Sequence, residues 1–267
     1  MWEKREAPLG IFDSGVGGLT VVREILKQMP HESILYYADT AHVPYGSRNP
    51  QELKGFARKI TSYLVTRQCK MIVIACNTST SLAYEELQNL FSLPIIGVIE
   101  PGVEKALKTT KNLRIGVIGT VPTINSGVYQ RKLQTKKTAV QVIAVPCPPF
   151  VPLVEKGITT GVNIEKTVAR CLQPLLEKNI DTLILGCTHY PFLQPMIAKV
   201  MGPQVKIIDP AYETVRQAYE ILKELNLLAT GQNPVYNYVS SKNPADFRAR
   251  GSVFLGRDLG TVKEIHL

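Results

Sequence analysis

The sequence lacks the long apolar segments by which proteins span a membrane or are sent across one. No apolar run reaches the roughly 18 residues that a membrane-spanning helix needs. The N-terminal residues, MWEKREAPLG, are charged and pass directly into a strand-like segment, whereas a secretory signal has an apolar stretch there. We therefore expect a cytoplasmic protein without a membrane partner.

The cysteines are few, and their pattern argues against two common roles. The five cysteines are Cys69, Cys76, Cys147, Cys171 and Cys187. An odd number of widely spaced cysteines is not typical of a disulfide framework. No CxxC pair occurs, and only His189 lies close to a cysteine in sequence, so we expect no metal site.

The net charge of +9, from 31 Lys and Arg against 22 Asp and Glu, is compatible with nucleic acid or a small anion as a partner. Most of the basic residues are scattered along helical patterns. The one tight cluster, RKLQTKK from Arg131 to Lys137, has no interleaved aromatic residues. We interpret it as a solvated helix face and expect no nucleic-acid partner.

Short apolar runs alternate with helical patterns along the whole chain. The predicted strands are 9–13, 33–39, 71–76, 94–99, 114–119, 140–145, 182–187 and 205–209. They are almost continuously apolar, as strands covered on both faces are. Segments between them, such as GGLTVVREILKQM, have apolar residues at helical spacing. The sequence therefore predicts an α/β fold with largely parallel sheets.

Several features of the first half of the chain recur in the second. GIFDSGVGGLT starts at Gly10 and GVIGTVPTINS at Gly116, and two apolar runs end in Cys76 and Cys187. The two members of each pair are separated by nearly the same number of residues, so we expect two pseudo-symmetric α/β domains. Generic turns after strands can also resemble each other by chance.

Two acid–proline turns are the predicted crossings between these halves. VIEPG contains Glu100 and IIDPA contains Asp209, each following a predicted strand. The predicted domains are therefore 1–98 plus 210–267 and 99–209. Because α/β sheets bind ligands at the carboxyl ends of their strands, we expect the active site in a cleft between the two domains.

Cys76 and Cys187 each end an apolar strand and precede small polar residues that can begin a helix. The start of a helix stabilises an anion by roughly 0.3–1 kcal/mol, so a thiolate there also needs a neighbouring donor. A lone cysteine at a strand end is more often a small buried apolar residue. Two cysteines in corresponding contexts favour a functional role.

A single activated thiol would indicate nucleophilic catalysis with a histidine base. A corresponding pair instead indicates proton transfer at carbon, with an acid and a base on opposite faces. Inversion of a stereocentre needs that arrangement. The other three cysteines lack the strand–cysteine–helix context, and we interpret them as structural.

The segment DSGVGG, which follows the first strand, suggests two kinds of ligand. Its glycines resemble a dinucleotide-binding turn, but Thr20 occupies the third glycine position of that motif. A better interpretation is an anion-binding loop, in which backbone N–H groups and Ser14 bind a carboxylate. Asp13 is predicted to orient an ammonium group or assist proton transfer, or alternatively to cap the helix.

With FDSGVGGLTV, PYGSR, IACNT and LGCTHYP in order along nearly its whole length, the chain resembles the glutamate racemases of bacterial cell-wall synthesis. The resemblance implies two α/β domains and a cofactor-independent isomerase. It also implies a cytoplasmic homodimer that supplies D-glutamate for peptidoglycan, and thus for cell-wall biogenesis and cell shape.

The resemblance also implies site residues. Cys76 would exchange a proton with D-glutamate and Cys187 with L-glutamate, assisted by Asp13, His189 and Glu155. The implied substrate-binding residues are Asp13, Ser14, Tyr45, Gly46, Asn77, Thr78, Thr120, Thr123, Thr188 and His189.

The residues by themselves lead to a cysteine-pair acid/base enzyme with an anionic substrate, and do not identify glutamate. A racemase of aspartate or of another amino acid in the same superfamily is the nearest alternative. A non-catalytic protein that binds a dicarboxylate or nucleotide is the alternative of a different class.

Overall fold

In the computed structural model, which describes residues 2–267, ten parallel strands form two sheets. The strands are β1 (Leu9–Asp13), β2 (Ile34–Ala38), β3 (Met71–Ile74), β4 (Ile95–Gly97), β5 (Arg114–Gly119), β6 (Gln141–Pro146), β7 (Thr182–Gly186), β8 (Lys206–Ile208), β9 (Tyr236–Ser240) and β10 (Val262–Glu264). The first sheet has the order β10-β9-β2-β1-β3-β4, and the second has the order β6-β5-β7-β8. The predicted α/β class with parallel sheets is confirmed.

Helices connect these strands, as parallel pairing requires. They are α1 (Trp2–Glu6), α2 (Leu19–Gln28), α3 (Pro50–Thr66), α4 (Asn77–Leu90), α5 (Ile99–Thr109), α6 (Val121–Asn125), α7 (Val128–Lys136), α8 (Phe150–Glu155), α9 (Val162–Leu176), α10 (Gln194–Met201), α11 (Pro210–Glu224) and α12 (Pro244–Leu255). Two 3₁₀ helices span Tyr45–Ser47 and Tyr190–Leu193. Among residues 2–267, no helix is both long enough and apolar enough to cross a membrane.

The chain divides into two units, Met1–Val98 with Ala211–Leu267 and Ile99–Pro210. In the first unit, α2, α11 and α12 cover one face of the sheet, where Ile11, Tyr36 and Val73 lie in the core. On the opposite face, α3 and α4 pack against strand residues such as Phe12 and Ile74. Burial on both faces explains why these strands are continuously apolar in sequence.

In the second unit, α5 and α7 cover one face of the four-stranded sheet. Val103 and Leu133 from these helices pack against Val117 and Ile184 from the strands. The helix α9 packs against α10 and against β6. The edge strand β6 is only half-buried, whereas β7, which precedes Cys187, is buried throughout.

The structure adds three elements that the sequence pattern did not predict. The charged N-terminus forms the short helix α1 before β1, so it does not pass directly into the first strand. Two further strands, β9 and β10, extend the first sheet beyond β2. Both have exposed residues in their sequences and lack the continuous apolar run of a central strand.

The basic cluster Arg131 to Lys137 lies mostly on α7 and forms ion pairs, as expected for a solvated face. Lys132 Nζ and Lys136 Nζ each lie 2.8 Å from a carboxylate oxygen of Glu100. This pairing neutralises part of the local positive charge.

Candidate active site

In the first unit, the predicted residues lie at the carboxyl ends of two neighbouring strands. The strands β1 and β3 pair directly, and the Ala75 N–H beyond β3 donates to Phe12 O at 3.0 Å. Asp13 ends β1, and Cys76 lies two residues beyond the end of β3. The sheet therefore places Asp13 and Cys76 at one edge.

Cys76 is the N-terminal cap of α4, and Asn77 and Thr78 form the first turn of that helix. All three are buried. The Thr80 hydroxyl donates to Cys76 O at 2.9 Å, which fixes the backbone at the cysteine. A Cβ at Gly97 would lie 2.4 Å from Thr80 Cγ2, so the end of β4 has no room for a side chain there.

Asp13 is fully buried, and Ser14 after it is nearly so. The Gly15 N–H donates to Asp13 Oδ2 at 3.0 Å, and the Tyr36 hydroxyl donates to Gly15 O at 2.8 Å. A Cβ at Gly18 would lie 2.5 Å from Asp13 Cβ. Close packing thus holds the loop that starts at Asp13, and a local hydrogen bond fixes this carboxylate.

Tyr45 is buried beside Cys76 and Leu53, and Gly46 follows it in the 3₁₀ helix Tyr45–Ser47. Its hydroxyl donates to Asp39 Oδ2 at 2.6 Å. Burial, followed by the charge of Asp39, raises the pKa of Tyr45 well above its usual value. Cys76 and Asp13 raise this pKa further.

In the second unit, Cys187, Thr188 and His189 directly follow β7 and are all buried. Gly186 ends the strand, and a Cβ there would lie 2.7 Å from Ile118 O, so only glycine fits without moving backbone. This tight pairing with β5 fixes the direction in which the chain leaves the sheet.

His189 connects the thiol of Cys187 to a carboxylate. Its Nδ1 lies 3.8 Å from Cys187 Sγ, and its Nε2 lies 2.7 Å from Glu155 Oε1. Burial by itself would lower the pKa of His189, but the hydrogen bonds with Cys187 and Glu155 outweigh it, so the pKa lies well above its usual value. A protonated imidazole here donates from both nitrogens, and it stabilises negative charge on Cys187.

Aromatic packing holds Glu155 in place, because Glu155 ends α8 and Phe150 begins it. The ring of Phe150 packs edge-on against Tyr190, with centroids 5.0 Å apart. The Tyr190 hydroxyl donates to Cys147 O at 2.9 Å. Tyr190, the residue after His189, thus packs against α8, the helix that carries Glu155.

Thr120 and Thr123 lie at the same sheet edge as Cys187. Gly119 and Gly186 are register partners at the ends of β5 and β7. Thr120 caps α6, and its Oγ1 lies 2.9 Å from Thr123 Oγ1. Both hydroxyls are therefore fixed beside the strand end that Cys187 follows.

One expectation for Cys187 needs correction. Cys76 does begin an α-helix, but Cys187 is followed by the 3₁₀ helix Tyr190–Leu193, and α10 starts only at Gln194. A 3₁₀ turn aligns few peptide dipoles, so the start of a helix contributes less to an anion at Cys187. His189 supplies the neighbouring donor instead.

The remaining cysteines are thiols in packed surroundings. Burial raises the pKa of Cys69 to about 12. A hydrogen bond between the thiols of Cys147 and Cys171 raises the pKa of Cys147 and lowers that of Cys171. Across residues 2–267, no group of three or more His, Cys, Asp or Glu side chains is arranged to hold a metal ion.

The residues that hold Tyr45 by hydrogen bonds are not among the predicted site residues. Asp39 accepts hydrogen bonds from Tyr45, from His42 Nδ1 at 2.8 Å and from the Ser241 hydroxyl at 3.0 Å. The position of Asp39 at the end of a predicted strand was a usable signal. Ser241 had none, because it lies about 200 residues away beyond β9.

The chain is similar to glutamate racemases both in sequence and in structure. The model of the Asp/Glu/Hydantoin racemase family matches residues 14–218. The chain is 44% identical over 260 residues to a glutamate racemase of Geobacter metallireducens, covering 97% of this chain and 96% of that protein. It is similar in structure to the glutamate racemase isoform RacE1 of Bacillus anthracis, with a TM-score of 0.95, 38% identity and 98% coverage of both chains. A Francisella tularensis glutamate racemase in complex with D-glutamate has a TM-score of 0.92, with 36% identity and 98% coverage of both chains.

Proposed function

The chain belongs to the glutamate racemases of the Asp/Glu/Hydantoin racemase family, and we propose that it inverts Cα of glutamate with two thiols, Cys76 and Cys187. One observation carries the proposal. In each unit a buried cysteine follows the carboxyl end of a central parallel strand, with two buried polar residues directly after it, Asn77 and Thr78 in the first unit and Thr188 and His189 in the second. Two such sites suit a reaction that needs an acid and a base at one carbon.

The proposed step is a proton exchange across Cα. With L-glutamate, the thiolate of Cys187 removes the α-proton, and the electron pair of the C–H bond stays on Cα as a carbanion. The thiol of Cys76 then donates its proton to the opposite face, which gives D-glutamate and leaves Cys76 as a thiolate. The reverse reaction starts from D-glutamate and the Cys76 thiolate.

His189 and Glu155 assist the Cys187 half of the reaction. The 2.7 Å contact between His189 and Glu155 keeps the imidazole protonated and oriented, and its other nitrogen faces the thiol. A donor at this position stabilises the thiolate before the proton is removed. His189 is itself buried, so water weakens this interaction little.

Substrate binding uses short polar groups at the same strand ends. We assign the carboxylates and the ammonium group of glutamate to Ser14, Tyr45 with Gly46, Asn77 with Thr78, Thr188 with His189, and Thr120 with Thr123. Asp13 is assigned to the ammonium group or to assistance in proton transfer. These assignments rest on the resemblance, and they are supported by the position of every one of these groups at the carboxyl edge of its sheet.

The wider role follows from the family. We propose that the enzyme works without cofactor as a cytoplasmic homodimer, and that its D-glutamate enters peptidoglycan. We also propose the domain boundaries 1–98 plus 210–267 and 99–209.

One experiment tests the proposal. Purified protein is incubated separately with L- and D-glutamate and with L- and D-aspartate, and the change in circular dichroism is followed, with and without EDTA and hydroxylamine. We expect racemisation whether the reaction starts from L- or from D-glutamate, at a rate that neither EDTA nor hydroxylamine changes. Racemisation of aspartate alone would transfer the assignment to the related racemases, and no turnover of either amino acid would refute catalysis.

A further inference from the structure

The hydroxyl of Ser241 joins the C-terminal part of the first unit to the segment that carries Tyr45. Ser241 directly follows β9 and is almost fully buried. Its Oγ accepts a hydrogen bond from the Ala41 N–H at 2.8 Å and donates to Asp39 Oδ1 at 3.0 Å. One side chain thus fixes both the backbone and the carboxylate at the end of β2.

The carboxylate of Asp39 is also hydrogen-bonded to Tyr45 and His42. With Oδ1 held by Ser241, Oδ2 accepts from the Tyr45 hydroxyl at 2.6 Å. His42 Nδ1 lies within 3 Å of both oxygens. A short hydrogen bond to an ionised acceptor is strong and directional, so the orientation of Asp39 sets that of Tyr45.

Tyr45 in turn lies beside the cysteine of this unit. It packs in one cluster with Cys76 and Leu53, and its phenol is close enough for the charges of Cys76 and Asp13 to act on it. The hydrogen-bonded chain therefore runs from Ser241 through Asp39 to Tyr45, and Tyr45 packs against Cys76.

We propose that Ser241 is a positioning residue for the Cys76 half of the racemisation. Ser241 holds Asp39, and Asp39 in turn fixes the orientation of Tyr45 and of the turn after it, on the side of the substrate where Cys76 lies. This inference rests on the proposed function. It does not place Ser241 in contact with glutamate.

The test is the substitution Ser241→Ala. The measured quantities are kcat/KM and its isotope effect, obtained with each enantiomer deuterated at Cα. Loss of the hydroxyl leaves the Ala41 N–H without this acceptor and removes one donor from Asp39 Oδ1, which His42 Nδ1 still contacts. The proton transfer at Cys76 should therefore slow. We expect kcat/KM to fall about 10-fold, the order expected for a hydrogen bond to a charged group.

The isotope effects identify which step has slowed. L- and D-glutamate have equal free energy in water, so kcat/KM must fall equally in both directions whatever the cause. If transfer at Cys76 has slowed, the isotope effect on kcat/KM should rise for D-[2-²H]glutamate and fall for L-[2-²H]glutamate. A merely structural defect lowers the amount of active enzyme and changes neither isotope effect.

Two further variants complete the design. Ser241→Thr keeps the hydroxyl and should restore most of the activity and the wild-type isotope effects. Ser240→Ala is the matched control on the same strand end, because its Oγ is hydrogen-bonded to Thr40 Oγ1 at 2.7 Å and to Lys242 O at 2.6 Å. It should leave both isotope effects unchanged.

The outcomes separate this inference from the proposed function. A wild-type protein that does not racemise glutamate refutes the function. A wild-type protein that does, with Ser241→Ala showing wild-type kinetics or unchanged isotope effects, refutes only the role of Ser241. A change in isotope effects that Ser240→Ala reproduces would also refute it.

Discussion

The contact between His189 and Glu155 offers the sharpest test of how the Cys187 thiol is activated, through the substitution Glu155→Gln. Glutamine has the same shape and can still accept a hydrogen bond, but it carries no charge. The side chain of Glu155 is only 15% exposed, and its Oε1 lies 2.7 Å from His189 Nε2. The substitution therefore removes a largely desolvated charge without removing volume.

The expected magnitude follows from the hydrogen bond. A hydrogen bond to a charged group contributes about 1.5–3 kcal/mol, so if that loss reaches the transition state, kcat/KM should fall roughly 10- to 150-fold. Because the proposed mechanism uses Cys187 to remove the proton from L-glutamate, the isotope effect should rise for L-[2-²H]glutamate and fall for D-[2-²H]glutamate. This is the opposite of the pattern expected for Ser241→Ala.

The pH dependence has a definite sign. The pKa of His189 lies well above its usual value, so the folded chain holds this proton more tightly than the unfolded chain does. The stabilisation is fully present below the unfolded value of about 6.5 and is lost as pH rises through the folded value. Glu155→Gln lowers the folded value, so the alkaline limb of kcat/KM should move to lower pH.

Glu165→Gln is the control, because it makes the same change in the exposed pair of Glu165 with Lys199, whose side chain is 61% exposed. Exposed pairs contribute little, so this variant should behave as wild type. If Glu155→Gln also kept the wild-type pH profile and isotope effects, the assigned role of the carboxylate would be wrong.

Three further predictions can be checked on the same material. Cys76→Ala and Cys187→Ala should each abolish racemisation, and residual exchange of the Cα hydrogen in D₂O, followed by NMR, should favour L-glutamate in the first and D-glutamate in the second. Equal exchange of both enantiomers would contradict the two-base assignment. Thr188→Ala should lower kcat/KM roughly 10- to 100-fold in steady-state assays, by loss of a hydrogen bond to a carboxylate, and an unchanged value would remove Thr188 from the site. Gly186→Ala should destabilise the fold by about 1–3 kcal/mol in denaturant titrations, because backbone blocks the new Cβ. Gly55→Ala, inside α3 with nothing within 4 Å, should stabilise it by about 0.5–1 kcal/mol; the reverse order would refute this steric argument.

The parallel core was predictable because burial on both faces leaves a continuous apolar run in sequence. All eight predicted strands form, and β1 and β5 have the predicted bounds. Four of the others are one or two residues shorter than expected, β4 is three residues shorter, and β6 is shifted by one residue. The strand β9, with the sequence YNYVS, could not be found in this way. It begins with partly exposed residues near the sheet edge and is recognisable only through its pairing with β2.

The residues of the candidate site also fall into those that were predictable from sequence and those that were not. The positions of Cys76 and Cys187 were predictable, because residues that follow parallel strands lie at the carboxyl edge of their own sheet. The partnership of His189 with Glu155 was not derivable from spacing, since a separate helix, α8, supplies the carboxylate. The contact of Ser241 with Asp39 could not be predicted either, because Ser241 follows β9, a strand without a continuous apolar run in sequence.

The two thiols are repeated in sequence, but their surroundings are chemically different. Cys187 has the imidazole of His189 beside it, whereas Cys76 has the neutral phenol of Tyr45. The proposed mechanism needs one thiolate and one thiol at the start of each turnover, and conversion of L-glutamate leaves the opposite pair from the one it began with. These different neighbours are the reason that substitutions beside each thiol are expected to change the isotope effects of the two enantiomers in opposite directions, while the equal free energies of the enantiomers fix the balance of the products.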